Sequence, residues 1–236
     1  LLKSDLNPPE LYADLWQTIT SGNEWKGELA NKRKNGSIYW EMAKICPLRD
    51  SDNSISGFLK VSQDITERKQ YEENLQYLGT HDPLTGLFNR AYFDAELQRL
   101  ESGREFPVSI VMADIDGLKA VNDTRGHDEG DRLIKGAAEV LLAAFRSSDV
   151  IARIGGDEFA VLLPRTDHDA VTTAIQRVRA CESDWRLQEF ARSLSLGAAT
   201  ATRPDTLVET FKAADRLMYQ DKTERKRQQL QPPHRG

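Results

Sequence analysis

The run Arg153-Ile154-Gly155-Gly156-Asp157-Glu158-Phe159 constrains this chain most, because apolar segments flank it on both sides. Residues 150–154 read as one short strand and 159–163 as another, closed by Pro164. Adjacent glycines supply the positive φ that a tight hairpin needs, and without side chains they let a bulky ligand approach the backbone. Asp157 and Glu158 then stand at a rigid hairpin tip, where acids need water, a metal or a cation beside them. Taken alone, the four residues fit a solvated turn as well as a ligand site.

A second stretch tips that balance. The near-continuous apolar run 108–113 ends abruptly in Asp114-Ile115-Asp116-Gly117-Leu118-Lys119. Two-metal phosphoryl-transfer sites are built from a buried strand that delivers acids at its end. Hard Mg²⁺ takes carboxylate and carbonyl oxygen and keeps the rest of its shell for water and substrate phosphates. Asp114 could merely cap a turn, but with Asp157 and Glu158 on a neighbouring strand tip the metal reading is preferred.

Gly155-Gly156-Asp157-Glu158-Phe159 resembles the signature of the GGDEF domain, the diguanylate cyclases that make cyclic di-GMP from two GTP. The resemblance runs from about His81 to Lys226. His81-Asp82-Pro83-Leu84-Thr85-Gly86-Leu87-Phe88-Asn89-Arg90 is similar to the DxLTGLxNR segment that opens those domains, where its role is structural. The resemblance implies that Asp114, the Ile115 carbonyl and Asp157 hold two Mg²⁺ (or Mn²⁺) ions per active site. It puts Glu158 in the metal shell or in activation of the attacking hydroxyl, and has Asp116 pointing away to brace structure. The reaction implied is attack of one GTP 3′-hydroxyl on the α-phosphate of another, with pyrophosphate leaving.

The same comparison implies the substrate contacts. Gly155 and Gly156 lie against GTP, while Lys119 and the amides around Gly117 and Leu118 match a phosphate cradle. Tyr219-Gln220-Asp221-Lys222 resembles the usual Tyr-x-x-Lys, which places Lys222 on phosphate. The family then typically carries Gly-Arg/Lys-Asn, whereas this chain has Arg225-Lys226-Arg227, so only Lys226 keeps the cationic position. Asn122 and Asp131 match guanine readers: a carboxylate can accept from N1–H and the N2 amino group, and an amide can donate to N3 or O6. Helix capping is the plainer alternative for both. Arg146-Ser147-Ser148-Asp149 resembles an inhibitory product site that would bind cyclic di-GMP, with Arg177 aligned to its second arginine.

Around these motifs the pattern is helix (91–100), strand (107–113), helix (126–145), the hairpin (150–163), helix (167–181), strand (194–199) and helix (206 to about 226). Leu133, Ile134, Ala137, Leu141, Ala144 and Phe145 give the long helix a broad apolar stripe. The alternation predicts an α/β (α+β) fold with a central, antiparallel-containing sheet flanked by helices. Ferredoxin-like palms, shared by nucleotide cyclases and polymerases, have that order.

Upstream, a helix is expected over 10–20, then strands over 25–32, 37–48 and 57–63, with Asn35-Gly36 turning between the first two. Helix plus antiparallel meander resembles the C-terminal half of a PAS sensor domain. Trp25-Lys26-Gly27-Glu28, Gly36-Ser37-Ile38-Tyr39-Trp40 and Asp64-Ile65-Thr66 carry that likeness. So thin a core is expected to lean on a partner or to be poorly ordered. No histidine precedes His81, so a His-ligated haem has no ligand within the fragment, and a flavin or small-molecule pocket cannot be argued from half a fold. Thr66 is expected to cap a helix over 67–78 with its hydroxyl. Tyr71, Leu75 and Leu78 form a narrow apolar seam on that helix, suited to a two-stranded coiled coil.

At 236 residues with 39% hydrophobic content the chain can bury a core, and a net charge of −5 argues against binding a nucleic-acid polymer. No apolar run suits a membrane span and no signal peptide opens the chain, so a cytoplasmic location is expected, for the chain alone or as the soluble portion of a larger protein. Cys46 and Cys181 have no metal-like spacing and read as reduced thiols. The expected organisation is a PAS remnant over 1–66, a signalling helix over 67–80, a GGDEF domain over 81–228 and a tail over 229–236. The expected function is a homodimeric, Mg²⁺-dependent diguanylate cyclase; the alternative is a silent GGDEF module that binds GTP or cyclic di-GMP and signals through protein contacts.

Overall fold

The computed structural model describes residues 4, 6–186 and 193–230, and the chain divides into two units, one through Gln76 and the other from Tyr77. In the first unit, helix α1 (Pro9–Thr20) packs on a three-stranded antiparallel sheet of β1 (Trp25–Lys32), β2 (Ile38–Arg49) and β3 (Ile55–Asp64), in the order β1-β2-β3. Its core is Leu15, Ile19, Trp25, Leu29, Ala43 and Ile45. The edge strand β3 buries none of its residues. Gly36, at φ 88°, turns the chain between β1 and β2 as its Asn-Gly context suggests.

Helix α2 (Thr66–Thr80) starts differently from the expectation. The Asp64 carboxylate, not the Thr66 hydroxyl, accepts the orphan amide of Thr66 at 2.9 Å. The threonine hydroxyl instead donates to the same carboxylate and accepts from the Trp40 amide. No residue of α2 is buried, and Tyr71 and Leu75 are each about two-thirds exposed.

The second unit is built on a five-stranded sheet in the order β4-β6-β7-β5-β8. Its strands are β4 (Phe88–Asn89), β5 (Val108–Ile115), β6 (Val150–Arg153), β7 (Glu158–Leu163) and β8 (Leu194–Ala201). The pairing is antiparallel except for β4 beside β6. Helices α3 (Arg90–Glu101), α4 (Leu118–Arg125), α5 (His127–Ala144), α6 (His168–Arg186) and α7 (Leu207–Leu230) surround it. The period of two along β5 sorts its side chains between two cores. Val111, Ala113 and Ile115 join α5 and α6 residues such as Leu141 and Val178. Ile110 and Met112 join Phe93 of α3 and Ala214 and Met218 of α7.

Two expectations need correction. Asp114 does not follow β5 but lies inside the strand, paired with Glu158 of β7 and Ser195 of β8, and only Asp116 stands beyond its end. Residues 118–125, to which the sequence pattern assigns no element, form the short helix α4, capped by Gly117 at φ 78°. Gly155 and Gly156 do not supply positive φ to the hairpin. A Cβ on Gly155 would lie 2.8 Å from Glu158 Oε2 and make that side chain shift, whereas a Cβ on Gly156 would point into open space.

Candidate active site

The alternation that splits the cores also selects which acids share a face. Ile110, Met112 and Asp114 have the same parity on β5, and Leu162, Ala160 and Glu158 lie opposite them on β7. Asp114 and Glu158 therefore stand side by side under α7, where Lys222 reaches down. Its Nζ is 2.6 Å from Asp114 Oδ1 and 2.7 Å from Oδ2. A cleft of about 510 Å³ opens here, lined by Asp114, Glu158, Arg216, Tyr219 and Lys222. Asp157 is close enough for its charge to act on both Asp114 and Lys222. Its carbonyl accepts the Ile115 amide at 3.0 Å, tying the hairpin to the end of β5.

Asp114 is 3% exposed, and burial raises its pKa beyond what the Lys222 bond takes back; the neighbouring Asp157 charge adds to the rise. Lys222 is partly desolvated, which works against its charge, but Asp114, Asp157 and Asp116 together push its pKa up. The charged pair is thus a local solution to burying an acid. Asp116 does brace structure: the hydroxyls of Ser193 and Ser195 donate to its two oxygens at 2.5 and 2.6 Å.

A clamp missed in the sequence holds the hairpin. Arg153, at the end of β6, donates to the Gly156 carbonyl at 2.8 Å and to both oxygens of Asp82 at 3.2 Å. Asp82 also accepts from the Thr85 amide and hydroxyl. Burial works to raise its pKa, but the Thr85 and Arg153 bonds prevail and hold it low. Only the opposite charges of Asp82 and Arg153 could have suggested this, since 71 residues separate them.

The charge network under α7 was equally hidden. The Asp221 carboxylate accepts from the Leu196 amide at 2.8 Å, from Arg179 Nη2 at 2.8 Å and from Arg225 Nε at 3.0 Å. Arg225 therefore pairs across one helical turn, and α7 runs on to Leu230.

Residues 79–228 match the family described as "Diguanylate cyclase, GGDEF domain". The chain belongs to the GGDEF family. Ahead of the GGDEF domain, residues 2–67 match a PAS domain. The Probable diguanylate cyclase DgcE of Escherichia coli (strain K12) is 33% identical over 192 residues, which are 80% of this chain and 17% of that protein. Diguanylate cyclase DgcM of the same organism is 32% identical over 172 residues, 70% of this chain and 42% of that protein. The chain thus spans less than half the length of either relative. Among solved structures, the coiled coil and GGDEF domain of DgcB from Caulobacter crescentus, in complex with c-di-GMP, matches with a TM-score of 0.61 at 29% identity. That match covers 68% of this chain and 89% of that one, and the shared fold is the nucleotide-cyclase palm.

In this GGDEF domain the remaining candidates for GTP contact fall in three places. Lys119 is exposed on the first turn of α4, beside the positive-φ Gly117 and the buried Leu118. Asn122 sits at the α4–α5 corner with its Oδ1 buried and unpartnered, so close to Gly130 that a Cβ there would lie 1.9 Å away. Asp131 is the next residue along, exposed on α5. Lys226 is exposed on α7, one turn beyond Lys222.

Arg146 and Asp149 line a separate pocket of about 390 Å³ with His81, Phe88 and Phe145. Part of the Asp149 carboxylate is already engaged, accepting the Arg146 amide at 2.8 Å. Arg177 is exposed on α6 and does not line that pocket.

Among the described residues no three His, Cys, Asp or Glu side chains converge as a preformed metal cage. The chemistry still fits Mg²⁺, which is commonly held by one or two carboxylates plus substrate phosphates. Asp114 Oδ1 is buried and receives no directed hydrogen bond. Among the described residues no helix is long and apolar enough to cross a membrane.

Proposed function

We propose that the chain is a diguanylate cyclase that condenses two GTP into cyclic di-GMP and two pyrophosphates, with Mg²⁺. The observation that carries this is the placement of Asp114 directly across from Glu158, under Lys222, beside an intact Gly155-Gly156-Asp157-Glu158 hairpin. The names of the matched relatives support the same reading. All the acids and glycines that a silent module would be expected to lack are in place, which favours the enzyme over the receptor.

In this reading Asp114, the Ile115 carbonyl, Asp157 and Glu158 would hold the metals, which when bound neutralise the phosphates and favour ionisation of the attacking 3′-hydroxyl. The open side of Gly156 admits phosphates against the backbone. Lys119 and the first amides of α4 meet the triphosphate at a helix N-terminus, with Lys222 and Lys226 adding charge from α7. Asn122 and Asp131 read guanine, and Asp131, being exposed, is available to its N1–H and amino group. The barrier is mainly charge build-up, so these fixed charges supply most of the stabilisation.

Each domain presents one set of acids and one GTP, so two chains must face each other. The exposed seam Tyr71, Leu75 and Leu78 of α2 is the surface proposed to bring them together. Arg146 and Asp149, with Arg177, form the proposed product brake. Chromatography of the nucleotides formed from GTP and Mg²⁺ tests the activity directly.

A further inference from the structure

Lys222 stands where a cation is needed whether or not a metal is bound. One ammonium spans both oxygens of a carboxylate that is 3% exposed. A carboxylate buried to that degree without a cation would be strongly unfavourable. The hydrogen bond is directed at Oδ2, while buried Oδ1 has the charge contact alone. That second oxygen is an acceptor a hard divalent ion could use.

The backbone that carries Lys222 is fixed. The neighbouring Asp221 is bonded to the Leu196 amide of β8, to Arg179 of α6 and to Arg225 one turn on. Gly197 of β8 admits the α7 backbone so closely that a Cβ there would lie 2.1 Å from the Met218 nitrogen. The Lys222 side chain, by contrast, is a flexible four-carbon stem bordering the open cleft beside Tyr219 and Arg216. It can swing from Asp114 into the cleft without any change of fold.

We propose that Lys222 is an exchangeable counter-ion: it holds Asp114 while no nucleotide is bound, and a divalent cation takes Asp114 as triphosphate draws the ammonium away. This rests on the reading of Asp114 as a metal ligand. Asp114 keeps a cationic partner before and after the exchange, and the ammonium passes from one anion to another with no covalent change. Metal and triphosphate binding become one coupled event, and metal alone is poorly held.

Mn²⁺ serves as the probe, titrated by electron paramagnetic resonance into the full chain without nucleotide. Lys222→Met and Lys222→Gln should each bind Mn²⁺ about tenfold or more tightly than the parent, because a competing charge at contact distance has gone. Equal affinity in parent and variants overturns the exchange. Adding Asp114→Asn to the Lys222→Met chain should abolish the gained site. Mn²⁺ retained there, or no Mn²⁺ bound by any chain, removes the metal reading and the exchange with it.

The parent chain, carrying ¹³C-dimethylated lysines, gives a second readout in which the exchange is followed on Lys222 itself. The Lys222 resonance, assigned by its absence in Lys222→Arg, should stay fixed with Mg²⁺ alone and shift with Mg²⁺ plus α,β-methylene-GTP. A shift with Mg²⁺ alone, or none with both, overturns the proposal.

Discussion

Gly197 of β8 and Ala214 of α7 approach so closely that a Cβ on Gly197 would lie 2.2 Å from the Ala214 carbonyl oxygen. Backbone meets backbone there, and this approach sets the height of α7 above the sheet and hence the reach of Lys222 to Asp114. Gly197→Val should cost at least about 1–3 kcal/mol, the usual range for overpacking a tight core. Urea unfolding of the two chains measures it; an unchanged midpoint would show that α7 is free to shift.

Acid should weaken the first unit through Asp64. Bonds from the Thr66 hydroxyl and amide, then from Arg33, hold its pKa at about 2. A depressed carboxylate stabilises the fold above its unfolded pKa of about 4, and that stabilisation is lost as pH falls towards 2. Asp64→Asn should lower stability at pH 6 and flatten the decline between pH 4 and 2. Urea midpoints followed by tryptophan fluorescence test this, since Trp16, Trp25 and Trp40 all lie in that unit. Parallel pH profiles would contradict the assignment.

The sequence was most legible where structure is local. The stripe from Leu133 to Phe145 is buried as its period indicates, and the turn at Asn35-Gly36 forms where that pair stands. Helix α4 was hidden because it has only eight residues, buries only Leu118 and is flanked by glycines that read as loop. The φ assignment for Gly155 failed because a glycine pair permits positive φ without imposing it; what crowds the position is Glu158, three residues on and folded back over it. The site acids were visible as a motif, but their face was not. It follows from strand register, which places Asp114 opposite Glu158 and under α7. The Arg153–Asp82 clamp and the Asp221 network join distant segments, so no local pattern announces them.

The pocket holding Arg146 predicts a separable brake. Arg146 is exposed and lines a pocket with Asp149, His81 and Phe88, outside the acid cleft. Arg146→Ala should leave initial rates nearly intact and raise the cyclic di-GMP concentration needed for half-inhibition by about tenfold or more, as loss of a charge-assisted contact does. Initial rates with added cyclic di-GMP decide it; an unshifted inhibition curve would place product elsewhere.

The proposed dimer assembly through α2 predicts an activity that depends on protein concentration. A short tether raises the effective concentration of a second domain to about millimolar. Specific activity should therefore rise with protein concentration, and Leu75→Glu with Leu78→Glu should steepen that rise while leaving GTP binding unaltered. Flat specific activity in both chains across a wide dilution series would show that assembly does not limit turnover.

Chromatography of the products formed from GTP and Mg²⁺, run on the parent chain and on Asp157→Asn, tests the central claim most directly. The parent should form cyclic di-GMP with two pyrophosphates per product, and the variant should turn over about 10²-fold more slowly or worse. GTP left intact by the parent, or near-normal cyclic di-GMP from Asp157→Asn, would contradict it.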